Sequence, residues 1–86
     1  MHEVINEKVS VVTVYDRVKG TVVPQKVKWQ GRVYNITKVG YHHKVKQGKK
    51  LLHIFSVSTD SIAFRLSFDA ENLHWLLEEV SDGFAS

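Results

Sequence analysis

The sequence predicts a mainly β domain, a single small antiparallel sheet or open barrel of about five to six strands. Three observations lead there. Residues 8–19 are dense in valine, with Val9, Val11, Val12, Val14 and Val18, and β-branched side chains favour extended backbone. The segments 25–29 and 62–68 alternate apolar and polar residues with period two. Gly20, Gln30-Gly31, Gly48 and Thr59-Asp60-Ser61 fall between extended segments as turn formers.

The elements follow in order. The valine-rich strand ends at Gly20. After Pro24, Val27 and Trp29 point one way while Lys26 and Lys28 point the other. Gln30-Gly31 reads as a two-residue hairpin turn, with Gly31 taking a positive φ, and 32–39 as the return strand. That turn sets a register: Trp29 faces Arg32, Val27 faces Tyr34 and Gln25 faces Ile36. Val27, Trp29, Tyr34 and Ile36 then share the core face. Lys26, Lys28, Asn35, Thr37 and Val33 share the solvent face. Arg32 is expected beside the indole of Trp29, within reach of a cation–π contact.

Residues 40–50 read as a long, polar, strongly basic connection, and 51–58 as a strand of mixed faces. In 62–68, Ile62, Phe64, Leu66 and Phe68 point inward, with Ala63, Arg65 and Ser67 outward. The segment 73–80 fits two patterns. Leu73, Leu76, Leu77 and Val80 have helical spacing, with Asp69 or Asn72 as a cap; Leu73, Trp75 and Leu77 have period two. Local rules favour the helix, which would make the fold α+β.

With 86 residues the chain is expected to form one domain over 1–86, with 82–86 as a loose tail. A domain this small buries roughly 60–65% of its unfolded surface, so few apolar side chains are spare for a deep ligand cavity. There is no cysteine, which excludes a disulfide framework and a thiolate zinc site and favours a reducing, cytoplasmic setting. The N-terminal residues lack the pattern of a secretion signal. No run approaches the roughly 20 apolar residues of a membrane helix, so no membrane partner is expected.

Chemistry-bearing residues are present without a frame. The histidines are His2, His42, His43, His53 and His74. His42 and His43 would point to opposite faces of an extended chain, and no ligand spacing joins the others. No metal or cofactor is expected. Serines and aspartates near His53 sit in no nucleophile motif. Gly48-Lys49-Lys50 lacks the phosphate-loop frame, because residue 43 is His and residue 50 is Lys. The sequence therefore points away from an enzyme.

Charge is the sharpest signal. Residues 17–59 hold ten cations and no acid, whereas 60–86 hold six acids and one arginine, within a net charge of +3. This asymmetry points to a polyanion-binding face; if the two regions lie side by side in the fold, they cancel instead. Lys26, Lys28, Arg32, Lys38, Lys44, Lys46, Lys49 and Lys50 are the candidate phosphate contacts, supported by Arg17 and Lys19. Tyr41, His42 and His43 are the candidate stacking rings, with Tyr34 and Trp29 behind them. Lysine outnumbers arginine 9 to 3, and a point charge reads geometry poorly, so binding should be non-specific in sequence. The expected function is a small basic module contacting DNA or RNA backbone through the 17–50 surface. The alternative is a protein-interaction or homo-oligomerising module that uses the acidic C-terminal segment or an open sheet edge.

The hairpin centre, Trp29-Gln30-Gly31-Arg32-Val33-Tyr34-Asn35-Ile36, has a Trp-x-Gly-Arg-x-Tyr-x-Ile pattern. It resembles a group of small bacterial domains of unknown function. Similar domains occur alone or near the C-terminus of proteins related to Y-family DNA polymerases. The likeness continues in pattern through Phe64-Arg65-Leu66 and Trp75-x-Leu77. The resemblance implies a small antiparallel sheet or open barrel in which 73–80 is a final strand, together with a DNA-repair neighbourhood. It carries over no active site. The chain departs from a strongly basic version of the pattern at Glu78, Glu79 and Asp82, which argues against a DNA contact by that last strand.

Overall fold

A computed structural model describes residues 2–81, with only the backbone of His2; the expected tail, 82–86, lies outside the described residues. Eight strands follow one another: β1 (His2–Lys8), β2 (Ser10–Asp16), β3 (Thr21–Trp29), β4 (Arg32–Asn35), β5 (Lys38–Gln47), β6 (Lys50–Ser58), β7 (Ala63–Asp69) and β8 (His74–Ser81). The described residues are all β, as the alternation predicts, with the strands divided between two sheets. One has five strands in the order β1-β8-β7-β6-β5, the other three in the order β2-β3-β4. All pairings are antiparallel. The chain crosses to the smaller sheet at Val9, whose N–H donates to the Trp75 carbonyl at 3.1 Å, and returns through Ile36 and Thr37. No helix among the described residues is long and apolar enough to cross a membrane.

The β3–β4 hairpin has the predicted register, Trp29 opposite Arg32 and Val27 opposite Tyr34. The Ile36 N–H donates to the Gln25 carbonyl at 2.9 Å. Gln30 (φ 53°) and Gly31 (φ 74°) are both left-handed, the signature of a type I′ turn. Two details differ from expectation. The return strand stops at Asn35, and β5 starts at Lys38. Arg32 sits over the Tyr34 ring, 5.3 Å from its centroid, rather than beside Trp29. Burial explains the exchange. The Trp29 indole turns into the core, edge-on to Phe64 at 6.0 Å, and its Nε1 donates to Glu7 at 3.2 Å. The half-buried Tyr34 ring is what remains within reach of the guanidinium.

Residues 40–50 are not a connection. They form most of β5 and a two-residue turn at Gly48 and Lys49, and β5 pairs with β6 from Lys38↔Ser58 to Gln47↔Lys50. Gly48 has φ 63°, which suits the first central position of a type II′ turn. The strand was hidden by its position: it is an edge strand, so its polar side chains meet water, and a bulge at Gly40 breaks the alternation.

Residues 73–80 are likewise not a helix but strand β8, paired on both sides by β1 and β7. Asp69 does cap a turn. Its Oδ1 accepts the N–H groups of Glu71 (3.0 Å) and Asn72 (3.3 Å), and the Leu73 N–H reaches the Asp69 carbonyl at 2.7 Å. Leu73 then takes φ 60°, which a right-handed helix cannot continue. The helical spacing of Leu77 and Val80 has another origin. The β7–β8 register slips between Arg65↔Glu79 and Leu66↔Leu77, so a bulge at Glu78 turns residues three apart to the same core face.

The core lies between the sheets. Val27, Leu66 and Leu77 have no exposed surface, and Phe55, Val57 and Phe64 are almost as enclosed. Ser67 points outward as predicted, yet it is buried, because Ile54 and Leu76 flank it in register on the outer face. The type I′ turn generates a test. Asparagine is several-fold enriched in left-handed backbone, equivalent to about 0.6–1 kcal/mol. Gln30→Asn should therefore raise the thermal midpoint by ~3–6 °C in a calorimetric scan.

Candidate nucleic-acid interface

The sheet order decides where charge goes. β3, β4, β5 and β6 carry no carboxylate, while Glu3 and Glu7 lie on β1 and Glu78 and Glu79 on β8. At roughly 4.8 Å per strand, β5 is ~14 Å from β8 and ~19 Å from β1. Both distances exceed the Debye length of about 8 Å at physiological salt. The basic and acidic segments thus occupy opposite edges of one sheet and do not cancel. Among the described residues one ion pair crosses the divide, Lys50 with Asp69 at 3.8 Å, while Arg65 pairs with Glu78 at 2.9 Å inside the acidic segment.

The predicted site residues fall into three groups. His42, Lys44 and Lys46 pair with Phe55, His53 and Leu51 and share the face of β5 that looks toward the smaller sheet. Lys38, Tyr41 and His43 lie on the other face, because the bulge at Gly40 inverts the alternation between Lys38 and Lys44. Lys50 lies on that outer face, and Lys49 occupies the turn. Lys26 and Lys28 pair with Asn35 and Val33 on the outer face of the three-stranded sheet, and Arg32 covers Tyr34. The fold therefore gathers the β5 residues and does not bring Lys26, Lys28 or Arg32 to them.

A cleft of about 400 Å3 opens where β5 overhangs the smaller sheet. Lys19, Thr21 and Val23 line one wall, and Val39, Tyr41 and His42 the other, above Phe55. Gly20, with φ 69°, closes the turn that carries Lys19, and Asp16 Oδ1 holds that turn by accepting from the Val18 and Lys19 N–H groups at 2.9 and 3.1 Å. Tyr41 is exposed and leans on His43, with ring centroids 4.7 Å apart.

His42, which lines the cleft, is paired with His53 on β6. His42 Nε2 and His53 Nδ1 are 3.0 Å apart. A centroid separation of 5.3 Å and a 23° interplanar angle set the rings nearly end to end. His42 also stacks on Phe55 at 4.3 Å and 6°. One of the two nitrogens donates and the other accepts, so they cannot both carry a proton. Both imidazoles are held below the ordinary histidine range, first by burial. His53, Lys44, His43 and Lys19 add to the effect at His42, and Lys44 adds to it at His53. Among the described residues no three His, Asp or Glu side chains converge as a metal would require.

Sequence reasoning missed two participants. His53 is a diagonal cross-strand neighbour of His42, and recognising the Gly48 turn would have placed it there by register. Lys19 meets β5 only across the gap between the sheets, and no local signal announces that. No family model, curated protein or solved structure matches the chain.

The histidine pair generates a pH prediction. Folded-state values below the unfolded 6.5 mean the unfolded chain binds more protons as pH falls through that value, so stability drops with acidification. The urea midpoint should be lower at pH 5.5 than at pH 7.5, and the difference should shrink in His42→Phe.

Proposed function

We propose that this domain binds the sugar–phosphate backbone of nucleic acids, without sequence preference, along edge strand β5. The observation that carries the reading is the separation of charge across the five-stranded sheet. It leaves Lys38, Lys44 and Lys46 on a strand of ten residues with no carboxylate on it or on β6. Lys19 extends this basic surface across the cleft. The lysine heads can follow a phosphate chain without demanding fixed geometry. The acidic β1–β8 edge repels the same polyanion and so orients the domain on it. The resemblance to domains found near Y-family polymerases agrees with a DNA partner. Lys26, Lys28 and Arg32 lie away from the cleft and are assigned a secondary part.

Fluorescence anisotropy with labelled single-stranded DNA, duplex DNA and RNA tests the reading. Binding in the ~1–100 μM range should weaken steeply with salt, each phosphate contributing about 0.7–0.9 to the log–log slope. Lys44→Glu/Lys46→Glu should lower the slope by about 1.4–1.8. No binding at low salt would overturn it.

A second reading, protein contact, draws on a different surface. The outer face of the three-stranded sheet exposes Val12 and Val33 beside Lys26 and Lys28, an apolar patch available to a partner or a second copy. Concentration-dependent elution in size-exclusion chromatography, abolished by Val12→Glu, is the outcome expected of self-association. An unchanged monomer from micromolar to millimolar concentration would dismiss the homomeric form.

A further inference from the structure

We infer that the cleft between β3 and β5 seats one backbone phosphate, held by Lys19 from one wall and by the imidazolium of His42 from the other. This rests on the backbone-binding reading and names the subsite where that backbone enters. Both residues line the cleft, with Thr21 and Val23 beside Lys19 and Phe55 below His42. His42 belongs to the inner face of β5, since it pairs with Phe55, and Lys44 follows it on that face opposite His53. At about 3.4 Å per residue the two stand ~7 Å apart along the strand, so a nucleic-acid strand seated at His42 runs on to Lys44 and Lys46.

The charges that act on His42 are all basic. Lys44 comes from its own strand, Lys19 from the turn between β2 and β3, His53 from β6, and His43 from the other face of β5. Strand β3 contributes Thr21 and Val23, which are uncharged. Asp16, the acid of the β2–β3 turn, is committed to its own backbone and accepts from the Val18 and Lys19 N–H groups. A concave surface whose acting charges are all basic is a place for an anion.

The histidine pair gives the seat its proton. His42 Nε2 and His53 Nδ1 lie 3.0 Å apart, so one of the two donates. With one more proton His42 becomes an imidazolium that donates through Nε2 to His53 and through Nδ1 to a second acceptor. A further proton would set donor against donor, so the pair takes up at most one. Burial and the neighbouring lysines hold both rings neutral at pH 7 in the free protein; an adjacent anion favours the charged form and reverses this. The stack on Phe55, 4.3 Å between centroids and 6° from parallel, fixes the His42 ring and lays its cation on a π face. Phosphate and proton therefore stabilise each other, and affinity rises as pH falls through the histidine range.

The test is anisotropy with a rhodamine-labelled thymidine decamer at pH 7.5 and pH 5.5 and fixed ionic strength; thymine, phosphodiester and dye do not titrate in this interval. Circular dichroism verifies folding at both values. Wild type should bind about fivefold or more tighter at pH 5.5, and His42→Phe should reduce that gain to less than about twofold. His74, opposite Asp69 on the outer face of β8, is the control, and His74→Gln should keep the gain. Lys19→Gln should lower the log–log salt slope by about 0.7, the share of one single-strand phosphate. NMR of the histidine rings needs no variant: the His42 midpoint should move to higher pH when unlabelled decamer is added. A pH-independent Kd, a gain that survives His42→Phe, a slope indifferent to Lys19 or an unmoved His42 midpoint would overturn the phosphate seat while backbone binding stands. Absence of binding at both pH values would overturn both.

Discussion

Trp29 and Tyr34 meet Phe64 edge-on, at 6.0 and 5.2 Å with interplanar angles of 85° and 84°. The first two rings belong to the β3–β4 hairpin and the third to β7, so these contacts seat the small sheet on the large one. Each such pair adds about 0.5–1.5 kcal/mol beyond the area it buries. That matters in a chain of 86 residues with no disulfide, where the core is small and every large side chain is needed. The contacts also fix where the small sheet lies. Its buried partners are Phe55, Val57, Phe64, Leu66, Leu77 and Val80 on β6, β7 and β8. Strand β5 is left overhanging, and the cleft is the consequence.

The same topology distributes the charge. The first and last described strands, β1 and β8, are neighbours and carry acids, and the chain re-enters the large sheet at its far edge through basic β5. A linear excess of lysine in the middle of the sequence thus becomes a spatial separation across one sheet. Lysines on an edge strand also discourage edge-to-edge aggregation, so the charge of β5 serves the monomer as well as the ligand proposed for it. The His42–His53 pair joins β5 to β6, and its His42 member stacks on a core phenylalanine and borders the cleft.

Much of this was legible in the order of residues. The β3–β4 register could be written down from Gln30-Gly31 and the alternation around it, because a two-residue turn and a period of two leave no freedom. The inward run Phe64, Leu66, Phe68 was equally plain. Legibility failed at bulges. Gly40 and Glu78 each insert one residue, and each makes the local pattern resemble something else: β5 a connection, β8 a helix. Leu73 adds to the disguise, since a leucine at φ 60° gives no hint of a turn. For the site, Tyr41, His42, Lys44 and Lys46 were identified by type. Their division between two faces was not, because it depends on the same bulge.

By itself, the sequence determined the β class, the strongest hairpin, most of the core and the presence of a basic region free of acids. These follow from local rules of backbone preference, periodicity and charge counting. Only the tertiary structure decided that there are two sheets, that 73–80 is a strand, that acidic and basic strands lie at opposite edges, and that Lys19 and His53 join the β5 residues. The reason is physical. Each of those outcomes depends on pairing or packing between segments distant along the chain, and the free energy of such contacts is not encoded in any local window.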